Sequence, residues 1–130
     1  MMKIRNILVF ALALLSPTVG ALAQTATPIT VTLTDYAFTP GALDMKEGIA
    51  YQMHFINNGS KDHSFSAPGF FAASQVAPED MAKVKNGIVE LGSGQSADVT
   101  VTPGPAGTYA FICTHFMHEM MGMHGKITVQ

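Results

Sequence analysis

Apolar and polar residues alternate along much of this chain with the period of two that is typical of β-strands. Residues 29–34 alternate aliphatic with hydroxyl side chains, and residues 51–56 place one aromatic or thioether side chain at every second position. Each segment therefore has one face suited to a core and one suited to solvent. A short strand is also expected after His63, and four later segments continue the pattern: residues 88–91, 97–102, 108–113 and 125–129.

Turn-forming stretches separate these segments, among them T-P-G, K-E-G and N-N-G-S-K-D. Pro78 is followed by the acidic Glu79 and Asp80, which favours a short helix over residues 78–85 because the helix dipole stabilises acidic side chains in its first turn. We read this helix as an insertion. Seven or eight short strands at this spacing predict an all-β, Greek-key β-sandwich of two sheets with a short helical insertion.

The first residues have the pattern of an export signal. Lys3 and Arg5 precede an apolar run over residues 7–15, and Ala-Leu-Ala ends at residue 23 as a cleavage motif. The run is well short of the roughly 20 residues that a spanning helix needs. We therefore expect a secretory signal peptide at residues 1–23, a single domain at residues 24–130, and a soluble periplasmic protein without a membrane span after cleavage.

The composition of residues 24–130 limits the kinds of partner that this protein is expected to bind. This part of the chain has five lysines, no arginine and nine acidic residues, for a net charge of −4. Nucleic acids and anionic membrane surfaces both favour clustered positive charge, so neither is an expected partner. The length suits a monomer with one modest core.

Residues 109–129 contain an unusual density of soft metal ligands: the only cysteine, three of five histidines and four of nine methionines. A thiolate, imidazoles and a thioether together select copper over magnesium, calcium or manganese. A lone cysteine cannot form an internal disulfide, and in an oxidising compartment a bound metal would protect it. The stretch therefore predicts a copper site.

The order of the residues suggests which of them bind. Cys113 ends a strand pattern, and the short loop after it brings its two ends back together. A second histidine must come from elsewhere, and the best candidate is His63, which follows a turn. His118 is preferred over His115, because a single intervening residue would leave the His115 ring poorly placed beside a strand-end thiolate. His54 lies on the solvent face of its strand and is not assigned as a ligand.

Four residues separate Cys113 from His118, and four more separate His118 from Met123. With the following H-x-x-x-G-M-x-G-x-I-x-V, this loop resembles that of cupredoxins of the plastocyanin and azurin type, and is similar to the type 1 copper loop of multicopper oxidases. The upstream H-S-F at His63 matches the first histidine of that family. The resemblance implies one type 1 copper ion per chain, with His63, Cys113, His118 and Met123 as its ligands.

The loop also departs from the family pattern. His115, Phe116 and Met117 stand where relatives commonly have proline and glycine, and further candidate ligands follow: Met120, Met121 and His124. Whether Met121, His115 or His124 replaces or adds to the assigned ligands stays open at this point. The surplus methionines fit either an apolar, adaptable rim that docks a partner or a second, thioether Cu(I) site.

The family resemblance implies a carrier of single electrons between redox partner proteins, with electrons passing at the edge of His118. The alternative is a periplasmic copper carrier or copper-tolerance protein that binds Cu(I) through the methionine- and histidine-rich loop. Catalysis is not expected, because nothing in the chain resembles the additional copper clusters of oxidases or nitrite reductases. Ser64 and Thr114, each directly after a ligand, are expected to cross-link the two ligand loops by hydrogen bonding.

Overall fold

A computed structural model of the chain describes residues 24–130, together with Ser16, Thr18 and Gly20. The predicted signal peptide, residues 1–23, otherwise lies outside the described residues and stays a prediction. In the described part of the chain, no helix combines the length and the apolar character needed to cross a membrane.

Ten strands form within residues 24–130, in two sheets of five. The first sheet contains, in spatial order, β2 (Ala37–Thr39), β1 (Thr27–Thr34), β4 (Tyr51–Asn57), β8 (Ser96–Thr102) and β6 (Gln75–Val76). The second contains β3 (Ala42–Met45), β10 (His124–Val129), β9 (Gly107–Ile112), β5 (His63–Ser66) and β7 (Ile88–Leu91). β1 runs parallel to β4 and β3 runs parallel to β10, whereas the other paired strands are antiparallel.

One hydrophobic core lies between the sheets and is built from both. Phe55 of β4 packs against Phe65 of β5 with 4.7 Å between ring centroids, and Phe65 stacks on Phe111 of β9 at the same distance. Aromatic pairs at such separations add to the free energy of burial. The all-β sandwich predicted from the alternation is confirmed.

The strands that fill this core also deliver two candidate ligands. His63 lies two positions before Phe65, and Cys113 lies two positions after Phe111, so each shares the inward face of its strand. His63 and Cys113 are accordingly buried. The packing of the two phenylalanine rings thus fixes where the imidazole and the thiol can lie.

The strand count exceeds the expected seven or eight because β2, β3 and β6 have three, four and two residues. Segments of two or three residues, such as β6 and β2, show too little alternation to be recognised in a sequence. The predicted helix over residues 78–85 is confirmed as a 3₁₀ helix, Pro78–Lys83, and a further helix, α1 (Pro68–Ala73), was not predicted. α1 spans six residues, which is less than two turns and leaves no readable helical period.

Candidate metal centre

Two loops meet at the candidate site. The first is the turn of residues 58–62, which joins β4 to β5 and ends at His63. The second is the loop of residues 113–123, which leaves β9 at Cys113 and returns the chain to β10. Cys113 donates its backbone N–H to the carbonyl of Met123 at 3.0 Å, so the two ends of this loop are closed on each other.

The buried side chain of Asn57 fixes the shape of the first loop. Its Nδ2 donates to the carbonyl oxygens of Lys61, at 2.8 Å, and Leu91, at 3.0 Å. Its Oδ1 accepts the backbone N–H of Gly59 at 2.9 Å. Because three bonds from one buried side chain span the turn, His63 leaves it in a defined direction.

Three donor atoms converge between the loops. Nδ1 of His63 lies 3.2 Å from Nδ1 of His118, and Sγ of Cys113 lies 3.4 Å from Nδ1 of His118 and 3.9 Å from Nδ1 of His63. All three residues are buried. A triangle with these sides has a centre about 2 Å from every corner, which is close to the bond lengths of about 2.0 Å for metal–imidazole and 2.3 Å for metal–thiolate bonds. The donors therefore fit a single metal ion.

The hydrogen bond made by Nε2 of His63 determines that Nδ1 is the ring nitrogen available to a metal. Nε2 lies 2.9 Å from Oδ1 of Asp35. An ionised carboxylate can only accept, so Nε2 carries the proton and the neutral imidazole has its lone pair on Nδ1. That lone pair faces Cys113 and His118, as a metal ligand requires.

Asp35 is itself held in place by Ser60. The Ser60 hydroxyl donates to Oδ2 of Asp35 at 2.6 Å, and the Ser60 N–H donates to both carboxylate oxygens at 3.1 and 3.2 Å. These hydrogen bonds, followed by the one from His63, hold the pKa of Asp35 well below its usual range. The carboxylate is therefore anionic wherever the protein is folded near neutral pH.

Burial also sets the protonation of His118. Loss of solvent lowers the pKa of its imidazole, and a positive charge on His63 or His115 would lower it further. The ring is thus neutral near pH 7 and keeps a lone pair for a metal. Tyr36 packs edge-on against it, with 5.2 Å between ring centroids and 84° between planes.

Met123 is the fourth candidate ligand. It is fully buried, and its backbone N–H donates to the carbonyl of His118 at 3.0 Å while its carbonyl accepts from Cys113. Met121, the competing thioether in sequence, is 52% exposed. The Met121 N–H also donates to the His118 carbonyl, at 3.2 Å, so burial and the hydrogen bond from Cys113 distinguish Met123 as the candidate ligand.

The expected cross-link between the loops is confirmed. Ser64 Oγ lies 2.8 Å from Thr114 Oγ1 and accepts the backbone N–H of Thr114 at 2.9 Å. The Ser64 N–H also donates to Sγ of Cys113 at 3.4 Å. A hydrogen bond to this sulfur stabilises its thiolate form and withdraws electron density from it.

The remaining histidines are not among the three converging donors. His115 pairs through Nε2 with Glu90 of β7, and its ring stacks on that of His118 with centroids 5.6 Å apart. His124 is exposed at the start of β10. His54 pairs with Asp98 across β4 and β8 at 2.7 Å, partly open to solvent, in agreement with its expected outward face.

Comparison with known proteins agrees with this geometry. Residues 5–129 match the family described as the cupredoxin-like domain. The chain belongs to that family. In a cupredoxin, a cluster of His63, Cys113, His118 and Met123 is typical of a type 1 copper site. Among curated proteins, no sequence matches this cupredoxin significantly.

Solved structures share the fold at low sequence identity. An auracyanin from Roseiflexus castenholzii is 23% identical, with a TM-score of 0.61 over 81% of this chain and 98% of its own. Auracyanin A from Chloroflexus aurantiacus, a "blue" copper protein, is 20% identical, with a TM-score of 0.55 over 79% of this chain and 99% of its own. A multicopper oxidase from Campylobacter jejuni, a metallo-oxidase, is 14% identical, with a TM-score of 0.60 over 85% of this chain and 31% of its own.

Sequence reasoning missed the contribution of a third segment. Asp35 and Tyr36 form the turn between β1 and β2, and they contact His63 and His118 respectively. In the sequence, an aspartate after a strand has the ordinary pattern of a turn residue. β2 was also not foreseen, so nothing indicated that the chain turns back at this point toward the ligand loops.

Proposed function

We propose that this cupredoxin is an exported, periplasmic type 1 copper protein that carries single electrons between redox partner proteins. The observation that supports the proposal most directly is the triangle formed by Nδ1 of His63, Nδ1 of His118 and Sγ of Cys113. A copper ion held there would supply one-electron chemistry by alternating between Cu(II) and Cu(I).

The protein residues around the triangle favour electron transfer because they resist rearrangement. His63 begins β5 and Cys113 directly follows β9, two strands that pack in the core, and Ser64 joins the two loops by hydrogen bonds to Thr114. A donor set fixed in this way changes little when the charge at its centre changes. Little reorganisation is what a rapid one-electron carrier needs.

The loop also offers an exit for electrons. His63 has no exposed surface, whereas 8% of His118 is exposed. Around it, the loop presents large apolar side chains to solvent: Phe116 at 90%, Met117 at 48%, Met120 at 83% and Met121 at 52%. An exposed apolar patch of this kind marks an interaction surface. We propose that redox partners dock here, next to the His118 ring.

The proposal that the protein is exported rests on the sequence of residues 1–23, which has a basic start, an apolar run and an Ala-Leu-Ala end. We propose that this segment is a signal peptide and that the domain at residues 24–130 acts in the periplasm. The net charge of −4 on that domain favours partners with a basic docking face. N-terminal sequencing of protein recovered from the periplasm of an expressing bacterium tests this, with Gln24 expected as the first residue.

Redox cycling in the presence of a chelator tests electron carriage. The copper-loaded protein is oxidised and reduced repeatedly while an equimolar Cu(I) chelator of much lower affinity is present, and the retained copper is measured. We expect full retention and complete re-oxidation in every cycle. Loss of copper at the first reduction would contradict the proposal.

A second function, Cu(I) carriage, is favoured by the chemistry of the exposed loop. A surface cavity of about 430 Å³ beside Cys113 is lined by His115, Phe116, Met117, Glu119 and Met120, among others. Thioethers bind Cu(I) well. If this is the function, replacement of Met117 and Met120 by leucine should change the rate at which Cu(I) passes to a chelator, or abolish the transfer. The absorption spectrum of the Cu(II) protein should stay the same. An electron carrier should show no such change, since leucine keeps the surface apolar.

We propose no catalytic turnover for this protein. A copper enzyme needs an open coordination position for its substrate. Cys113 is 1% exposed, and His63 and Met123 have no exposed surface, so the donors leave little access for a small molecule. Measurement of oxygen and nitrite consumption by the reduced, copper-loaded protein tests this, and sustained consumption of either would contradict it.

A further inference from the structure

The turn between β1 and β2 acts on both histidines of the site. Asp35 accepts a hydrogen bond from Nε2 of His63 at 2.9 Å, and Tyr36 packs edge-on against the ring of His118. Tyr36 has a φ of 69°, in the left-handed region that is costly for a residue other than glycine. The surrounding structure holds the turn in this conformation, with its two side chains directed at the metal centre.

Hydrogen bonds from Ser60 hold the carboxylate of Asp35 in place. Ser60 donates to it three times, from its N–H to both oxygens and from its hydroxyl to Oδ2. The backbone of Gly59 lies on the other side of the Asp35 carboxylate. A Cβ on this residue would lie 2.5 Å from Oδ1 of Asp35 and 2.8 Å from Nε2 of His63. The backbone thus passes directly beside the hydrogen bond between the two side chains, on the side opposite the solvent-exposed face of Asp35.

We propose that Asp35 is a positioning residue of the metal centre, which holds the proton of His63 on Nε2, keeps Nδ1 directed at Cys113 and His118, and favours the more highly charged oxidation state of a bound copper ion. This inference rests on the proposed function, since it assumes copper at the donor triangle. It adds a third segment, outside the two ligand loops, to the residues that determine the reduction potential.

The electrostatic part follows from the position of the charge. A carboxylate that accepts from the far nitrogen of an imidazole increases the electron density on the near nitrogen and strengthens it as a ligand. This hydrogen bond stabilises a bound divalent ion more than a monovalent ion, because both the strength of the ligand bond and the Coulomb attraction to the carboxylate grow with the charge of the ion. Asp35 therefore stabilises Cu(II) relative to Cu(I) and lowers the potential.

Two variants separate charge from orientation. Asp35→Asn removes the charge but keeps an oxygen that can accept from Nε2 of His63, whereas Asp35→Ala removes both. The matched control is Asp98→Asn, which removes a carboxylate from another histidine–aspartate pair, at His54. Urea unfolding of each metal-free variant checks that it folds.

The readouts are Cu(II) and Cu(I) affinity by chelator competition, the reduction potential by titration, and the His63 tautomer by nitrogen NMR of the metal-free protein. Loss of such a histidine partner typically weakens metal binding by about 10–100-fold, and we expect this for Cu(II) in Asp35→Ala. Each tenfold by which Cu(II) loses more than Cu(I) raises the potential by about 59 mV. Asp35→Asn should raise the potential with the tautomer unchanged, and Asp98→Asn should change neither.

Gly59→Ala provides an independent test that alters no charged group. Its new Cβ would lie 2.5 Å from Oδ1 of Asp35 and 2.8 Å from Nε2 of His63, so at least one of them must move, and we expect weaker Cu(II) binding and a higher potential, as in Asp35→Ala. If the Asp35 variants bind Cu(II) with the wild-type affinity and potential, or shift the potential no more than Asp98→Asn does, the inference is wrong while the proposed function stands. If the wild-type protein itself binds no copper at Cys113, the proposed function fails first.

Discussion

The hydroxyl oxygens of Ser64 and Thr114 lie 2.8 Å apart and join the two loops that carry the candidate copper ligands. Ser64 follows His63 and Thr114 follows Cys113, so the bond links the residues next to two of the donors. The Ser64 hydroxyl also accepts the Thr114 N–H at 2.9 Å. Two hydrogen bonds between protein groups therefore join the loops directly.

Replacement of Ser64 by alanine should loosen this link. The Thr114 N–H loses its acceptor, and a hydrogen bond of this kind typically contributes about 0.5–1.5 kcal/mol to the free energy of unfolding. We expect a loss in that range for the metal-free protein by urea unfolding, and a changed reduction potential after copper loading. Ser96→Ala, at an exposed position that begins β8, serves as the control. Wild-type potential and copper affinity in both Ser64→Ala and Thr114→Ala would show that the cross-link does not tune the metal.

Phe116 is 90% exposed on the loop beside His118, and we expect it to contribute to docking and not to the copper site itself. Phe116→Ser should lower the rate of electron self-exchange between copies of the protein by roughly tenfold, because contacts of aromatic rings at interfaces are often worth more than 1 kcal/mol. The spectrum and potential should stay unchanged. NMR line broadening of mixed oxidation states measures the rate. The control is Met81→Ser, at an exposed methionine on the 3₁₀ helix, and an equal effect there would argue against docking at Phe116.

Gly125 packs so closely that a side chain cannot be added without rearrangement. A Cβ there would lie 2.3 Å from the Phe111 ring and 2.4 Å from the carbonyl oxygen of Gly41. Gly125→Ala should therefore reduce the unfolding free energy by about 1–3 kcal/mol through overpacking. Urea unfolding measures this, with Gly41→Ala as a control because its Cβ would have ordinary contacts at 3.8 Å. Equal stability of the two variants would contradict this account of the glycine.

Asp80 should make folding stability depend on pH. Burial by itself would raise its pKa, but hydrogen bonds from Lys83 at 2.7 Å and the Thr100 N–H at 2.8 Å outweigh that and lower it. A carboxyl whose pKa is lowered by folding stabilises the protein fully above its unfolded pKa, and this contribution is lost as the pH falls toward the folded value. Asp80→Asn should cost about 1–3 kcal/mol near pH 7 and progressively less in acid.

Thermal or urea unfolding over a series of pH values checks this prediction. Asp44→Asn, at an exposed position on β3, serves as the control. A difference between Asp80→Asn and the wild type that stays constant from neutral pH into strong acid would show that the carboxylate charge is not responsible.

Much of the fold could be predicted from the sequence because long strands repeat the alternation of apolar and polar residues several times. β4 and β8 alternate over seven residues each, and both appear within one or two residues of the predicted bounds. The shorter β2 and β6 were not foreseen, since two or three residues can show no period. These short strands form because they pair with neighbouring strands, and such pairing is a tertiary effect.

The candidate ligands were readable for a different reason. Cys113, His118 and Met123 lie in one short loop, so their spacing in sequence limits their spacing in the fold. His63 needed the family resemblance as support, because its approach to Cys113 depends on how two strands pair. The role of Asp35 was not predictable, since its distance from His63 depends on a turn, on Ser60 and on the absence of a side chain at Gly59.

The visible absorption spectrum after addition of one equivalent of Cu(II) tests the central claim most directly. If Cys113, His63 and His118 bind copper as proposed, the protein should become strongly coloured through charge transfer from the Cys113 thiolate to Cu(II). Cys113→Ser should bind the metal without that band. A colourless wild-type protein, or one whose Cys113→Ser form still binds Cu(I) as tightly, would contradict the type 1 copper site and favour copper carriage by the methionines.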